Sequence, residues 1–163
     1  MKARNFRKID GMAYTRKGYI GGGIPQPRIT KFTMGDPSGE FESKVELLSM
    51  ERAHISSNAL EAARIAANRV LESSFSREGF YLKVVQYPHD IIRHHKRVSV
   101  AQADRYQEGM KRCYGKPFGT AARIEPGELL ITIGVNKSGV DTALEALKRA
   151  SAKFPITTRI IAH

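Results

Sequence analysis

His94, His95 and Cys113, with Asp104 between them, are the residues whose types most readily suggest covalent or acid–base chemistry. Imidazole titrates near neutrality, a thiol beside Arg112 and Lys116 gains thiolate character, and a lone carboxylate can serve as a general base. An RNA-modifying or RNA-cleaving enzyme working through this segment is one reading of the four. Their spacing argues against it, because no His or Asp stands at a recognisable activating interval from Cys113. A metal site built from His89, His94, His95 and Cys113 is disfavoured as well: adjacent histidines seldom chelate one ion, and no carboxylate-rich cluster accompanies them. One cysteine forms neither an intramolecular disulfide nor a multi-thiolate zinc site. Gly21, Gly22 and Gly23 lack the strand, the downstream Lys-Ser/Thr and the helix of a phosphate-binding P-loop. No cofactor, metal or small-molecule substrate is expected.

The other chemistry open to these residues is attraction to phosphate. Lys and Arg number 27 against 16 Asp and Glu in 163 residues, a formal charge of +11, and the excess is unevenly placed. Residues 1–31 carry a net +7 (Lys2, Arg4, Arg7, Lys8, Arg16, Lys17, Arg28 and Lys31 against Asp10), residues 32–79 a net −3, residues 80–123 a net +6 and the remainder +1. Two cationic stretches flanking an acidic middle point to a polyanionic partner held by counterion release. Tyr14 and Tyr19 among the arginines suit RNA, whose splayed bases stack on rings and guanidinium planes. Asp104 is placed to orient Arg105, whereas Lys148, Arg149 and Lys153 fit either a solvated face or a further RNA contact.

Such side chains need a mount, and 41% hydrophobic residues supply one. Residues 1–39 mix Arg, Lys and aromatics with repeated Gly and Pro and show no periodicity, which predicts an extended, mostly irregular basic arm shaped by its partner. From 40 to 163 the pattern predicts a single α+β domain. Alternation over 41–49 makes a strand with Phe41, Val45 and Leu47 inward. Asn58 with Glu61 makes a capping-box start for a helix whose inner face is Ala59, Leu60, Ala62, Ala63, Ala66, Ala67, Val70 and Leu71, with Asn68 opposite. A strand over 80–87 is closed by Pro88. Strands 121–124 and 129–135, joined around Pro126 and Gly127, read as a hairpin. Ser138 with Asp141 starts a second helix that Pro155 ends, and 157–162 is a last strand. Two helices thus pack on a mainly antiparallel sheet. A basic loop over about 88–120 carries little regular pattern, and loops of that length in compact domains are usually functional. No window of 18 apolar residues and no apolar signal core at the start are present, so the expected setting is cytoplasmic, away from membranes.

The run from Ala103 to Arg123 (ADRYQEGMKRCYGKPFGTAAR) resembles the signature of the large-subunit ribosomal protein family called L ten-e in archaea and eukaryotes, the counterpart of bacterial L sixteen. Further matches, in order, are Ala13-Tyr14-Thr15-Arg16, Gly23-Ile24-Pro25 to Ile29, Asn58 to Arg64, Tyr87-Pro88-His89 and Lys153-Phe154-Pro155. The resemblance spans nearly the whole chain and is of the archaeal type. It implies a structural constituent of the large subunit that wedges between rRNA helices near the tRNA acceptor arm and the peptidyl transferase region, with neighbouring ribosomal proteins around it. Carried onto this sequence, Arg105, Lys111, Arg112, Lys116 and Arg123 hold rRNA together with Arg4, Arg7, Lys8, Tyr14, Arg16, Lys17, Arg28 and Lys31 of the arm. Arg93, His94, His95, Lys96, Arg97 and Gln102 form the loop facing tRNA. The family usually has Arg-Glu-Asn-Lys at 93–96, Gly at Gln102 and Arg at Lys111; lysine there offers a point charge in place of a planar fork.

Overall fold

The computed structural model describes residues 9, 11–76, 78–95, 110–111 and 113–163, with only the backbone of Lys17. Its elements run β1 (Thr33–Gly35), β2 (Ser43–Ser49), β3 (Ala53–Ser56), α1 (Ser57–Ser74), β4 (Tyr81–Val84), β5 (Asp90–His94), β6 (Lys116–Ile124), β7 (Leu129–Val135), α2 (Val140–Ser151) and β8 (Thr158–Ala162). Every strand pair is antiparallel, in a five-stranded sheet ordered β1-β4-β7-β2-β8 and a three-stranded sheet ordered β3-β6-β5. The α+β class and the two helices expected from patterning are therefore present.

β7 is the central strand of the larger sheet and is buried along nearly all its length, which is why Leu-Leu-Ile-Thr-Ile-Gly-Val shows no alternation. β2 beside it alternates as a half-buried strand should, with Val45 and Leu47 fully buried. α1 and α2 pack on each other and on the strands. Ala63 and Ala67 of α1 and Ala143, Ala146 and Ala150 of α2 are all fully buried. Side chains this small let the two backbones approach closely. Leu60, Leu71 and Leu147 fill the space around them, each burial contributing about 1.5–3 kcal/mol.

Several local expectations are corrected. The cap of α1 is Ser56, two residues before Asn58: its hydroxyl accepts the Ala59 N–H at 3.3 Å, and β3 runs straight into the helix through it. Asn68 lies on the buried side of α1, since that helix is covered by α2 as well as by strands. Ser138 does not cap α2. It sits in a 3-10 turn, Lys137–Gly139, and the chain enters the helix through Gly139, where a Cβ would meet the Phe75 ring at 2.6 Å.

The hairpin expected around Pro126 is absent, because β6 and β7 belong to different sheets. Gly127, at φ +86°, completes a turn closed by the Glu128 N–H donating to the Glu125 carbonyl, and this turn carries the chain from one sheet to the other. Ser49 staples it: its carbonyl accepts the Gly127 N–H at 2.7 Å and its N–H donates to Glu128 at 2.9 Å. The outward crossing between β2 and β3 lies alongside, tied by the Arg52–Glu125 pair at 2.9 Å.

The long stretch after Pro88 is not irregular at its ends. Asp90–His94 and Lys116–Ile124 pair as a ribbon, with a bulge between Ile92 and Arg93 opposite the Pro117 region. Pro117 is tolerated because β3 reaches only as far as Ala121, leaving β6 with a single neighbour there. Among the described residues before β1 the chain is irregular apart from the 3-10 turn Lys17–Tyr19, yet it docks on the domain through buried Ile9, Ile20 and Ile29, and β1 pairs with β4. Among the described residues no helix is long and apolar enough to cross a membrane.

Candidate nucleic-acid interface

Arg93 projects from β5 as an exposed residue, its guanidinium carbon 4.4 Å from the Tyr14 ring centroid and 5.7 Å from that of Tyr114. Two rings from distant parts of the chain thus lie within cation–π reach of one planar cation, with Tyr114 itself 79% exposed. Arg16 stands over Tyr19 at 6.0 Å in the same segment. On the ribbon, the His94 ring packs against Phe118 across the two strands with centroids 5.5 Å apart. Gly115, at φ +88°, begins the return strand where a Cβ would lie 2.5 Å from the backbone of His94 and His95, so only glycine lets the strands close there.

What holds Tyr14 in place is Asp90. One carboxylate oxygen accepts the Tyr14 N–H at 2.9 Å, and the other accepts the His54 Nε2–H at 2.8 Å. The Ile91 N–H donates to the Tyr14 carbonyl at 3.1 Å, and Arg123 of β6 donates to the Gly11 carbonyl at 2.9 Å. Burial alone would push the Asp90 carboxyl up; the His54 hydrogen bond, the Tyr14 N–H and the nearby Arg123 charge outweigh it and hold it below the usual carboxylate range. Each strand of the smaller sheet therefore contributes one side chain, His54, Asp90 or Arg123, to fastening the N-terminal segment beside the ribbon.

Residues 9–161 match the family described as ribosomal protein L16p/L10e. The chain belongs to that family. Among its relatives, the large ribosomal subunit protein uL16 of Staphylothermus marinus is 44% identical over 159 residues, covering 98% of this chain and 91% of that protein. The corresponding protein of Sulfolobus acidocaldarius is 48% identical over 159 residues (96% and 90%), and that of Hyperthermus butylicus 43% over 157 (96% and 87%). As in the sequence reading, this is an archaeal-type L16p/L10e member.

Only some of the cations expected to contact rRNA lie among the described residues. Arg16, Arg28, Lys31, Arg93, Lys111 and Lys116 are exposed, while Arg123 is half-buried and committed to Gly11. His94 and His95 are half-buried at the ribbon end. Arg4, Arg7, Lys8, Lys96, Arg97, Gln102, Asp104, Arg105 and Arg112 lie outside the described residues, as does the side chain of Lys17. Cys113 is exposed, and His94 is engaged with an aromatic ring rather than a carboxylate. Sequence reasoning missed His54 and Asp90. The available signal was Asp90 itself, one of only three acids in the strongly cationic stretch 80–123.

Proposed function

We propose that this chain is a structural constituent of the large ribosomal subunit, in which its small core holds two cationic segments against rRNA. The observation that carries the reading is the contact of Arg93 with both Tyr14 and Tyr114, built by fastening one basic stretch onto the other in a member of a ribosomal-protein family. Exposed Arg16, Arg28, Lys31, Lys111 and Lys116 supply phosphate contacts, and tyrosine rings with the guanidinium supply stacking for unpaired bases. Arg4, Arg7, Lys8, Lys17, Arg105 and Arg112 extend the same rRNA grip. The loop starting at Arg93 and continuing through Lys96, Arg97 and Gln102 lies toward the tRNA acceptor arm, where its charge steadies the tRNA near the peptidyl transferase region. Sucrose-gradient sedimentation of cell extract tests the assignment: the chain travels with large subunits and leaves them only at high salt. A chain that sediments alone at every ionic strength contradicts it.

A further inference from the structure

A groove of about 370 Å³ lies where the N-terminal segment meets the connection between β4 and β5. That size falls within the roughly 300–1,000 Å³ of small-ligand sites. Its lining is apolar where buried Pro88 and Ile91 and half-buried Ile24, Pro25 and Pro27 contribute. Tyr87 lines it too and is 57% exposed, yet its ring is held: it packs on the Phe32 ring with centroids 5.5 Å apart, and Phe32 packs against the core. Exposed Gln26 and His89 add polar groups. The Tyr87 carbonyl accepts the His89 backbone N–H at 2.9 Å and its Nδ1–H at 3.1 Å, which fixes the imidazole and leaves Nε2 without a partner among the described residues. An apolar lining, one immobilised exposed ring and polar side chains beside it are what an unstacked base requires.

Charge selects RNA over an apolar protein segment as the occupant. Among the described residues no Asp or Glu lines the groove. Residues 11–35 hold Arg16, Lys17, Arg28 and Lys31 without a single acid. In 80–94 the one acid, Asp90, is 7% exposed with both oxygens bonded. A polyanion therefore meets attraction on both sides of the groove and no free carboxylate.

We propose that this groove receives one unpaired base of the rRNA strand, stacked on the Tyr87 ring with its edge met by Gln26 and His89, while Arg16 and Arg28 hold the flanking phosphates. The inference rests on the rRNA-binding reading above and deepens it. The RNA strand, rather than a free nucleotide, is the source because no Lys or Arg lines the groove itself. The exposed cations stand beside it in the chain, Arg16 next to Thr15 and Arg28 next to Pro27, where a continuing backbone meets them.

Full-length protein is assayed for binding to isolated large-subunit rRNA. Tyr87→Leu keeps apolar bulk without the ring face and weakens binding about ten-fold; Tyr87→Phe keeps the ring and binds within about two-fold of wild type, and Gln26→Ala loses about three-fold. Because Tyr87→Leu removes no charge, its plot of log affinity against log salt runs parallel to that of the wild type. A shallower slope would mean that the cationic segment had come away, and would overturn the stacking assignment. Ultraviolet crosslinking of the wild type joins a single rRNA nucleotide to the peptide containing Tyr87; no crosslink there, or one spread over many nucleotides, overturns the assignment even if Tyr87→Leu fails to fold. If folded Tyr87→Leu binds as wild type while Arg93→Ala is weakened, the groove assignment falls and the rRNA reading stands. If neither is weakened, both fall. If free nucleoside 5′-monophosphates move the amide signals of Gln26 and Tyr87 with a Kd below about 100 μM, the ligand is a free nucleotide and the assignment to the RNA strand is overturned.

Discussion

Asp90→Ala removes the carboxylate that fastens the N-terminal segment to the smaller sheet. The side chain accepts two hydrogen bonds, from the Tyr14 N–H at 2.9 Å and from His54 at 2.8 Å, and is only 7% exposed. Hydrogen bonds to a charged group are worth about 1.5–3 kcal/mol each. Tyr14 is half-buried and water replaces part of its loss, so the expected net cost is about 3 kcal/mol. For a chain of this size each kcal/mol moves the unfolding midpoint by about 2–4 °C, which predicts a fall of about 6–12 °C. Circular dichroism during heating reads that fall, and amide exchange at Tyr14 speeds up well beyond exchange in β7. The dependence on pH has a defined sign. Because the folded carboxyl is held below its ordinary value of 3.8, its contribution is complete above that pH and is lost as the pH drops through the lower folded value. A midpoint shift under about 2 °C, with Tyr14 exchange unchanged, would refute the clamp.

Gly115→Ala should cost at least about 2 kcal/mol in urea unfolding, since alanine disfavours φ +88° and its methyl would meet the His94 and His95 backbone; a neutral result would show that the ribbon end rearranges freely. Ser56→Ala should cost about 1 kcal/mol by loss of the α1 cap, whereas Asn58→Ala should cost well under half of that in the same unfolding experiment. Replacing Lys96 and Arg97 together by alanine, with the rRNA-facing Arg93 kept, should leave far-ultraviolet dichroism and subunit incorporation nearly intact while lowering peptide synthesis; failed incorporation would make the loop an assembly element.

Elements with one strong local signal were readable from sequence: α1 from its alanine-rich face, β7 from its apolar run, and β2 from alternation with Val45 and Leu47 inward. What escaped depended on partners far along the chain. Pro126 and Gly127 announce a turn but say nothing about whether the flanking strands pair with each other, and here Ser49 pins the turn to the larger sheet while β6 pairs elsewhere. Pro117 and Gly119 mask a strand because they weaken β propensity in an element secured by pairing with β5. The cap of α1 was misplaced because Ser56 serves both as the last residue of β3 and as the helix cap. In the interface, tyrosines among arginines were visible as a composition. That Arg93 meets Tyr14, 79 positions away, follows from Asp90, Ile91 and Arg123 fastening one segment to the other.

The most direct test of the central claim is the slope of log affinity against log salt for binding to isolated large-subunit rRNA, measured for the wild type and for Arg93→Ala with Lys116→Ala. At least six engaged cations predict a wild-type slope of about −4 to −5, reduced by about 1.5 in the double variant. A slope near zero, or one that the double substitution leaves unchanged, would contradict an electrostatic grip through this face.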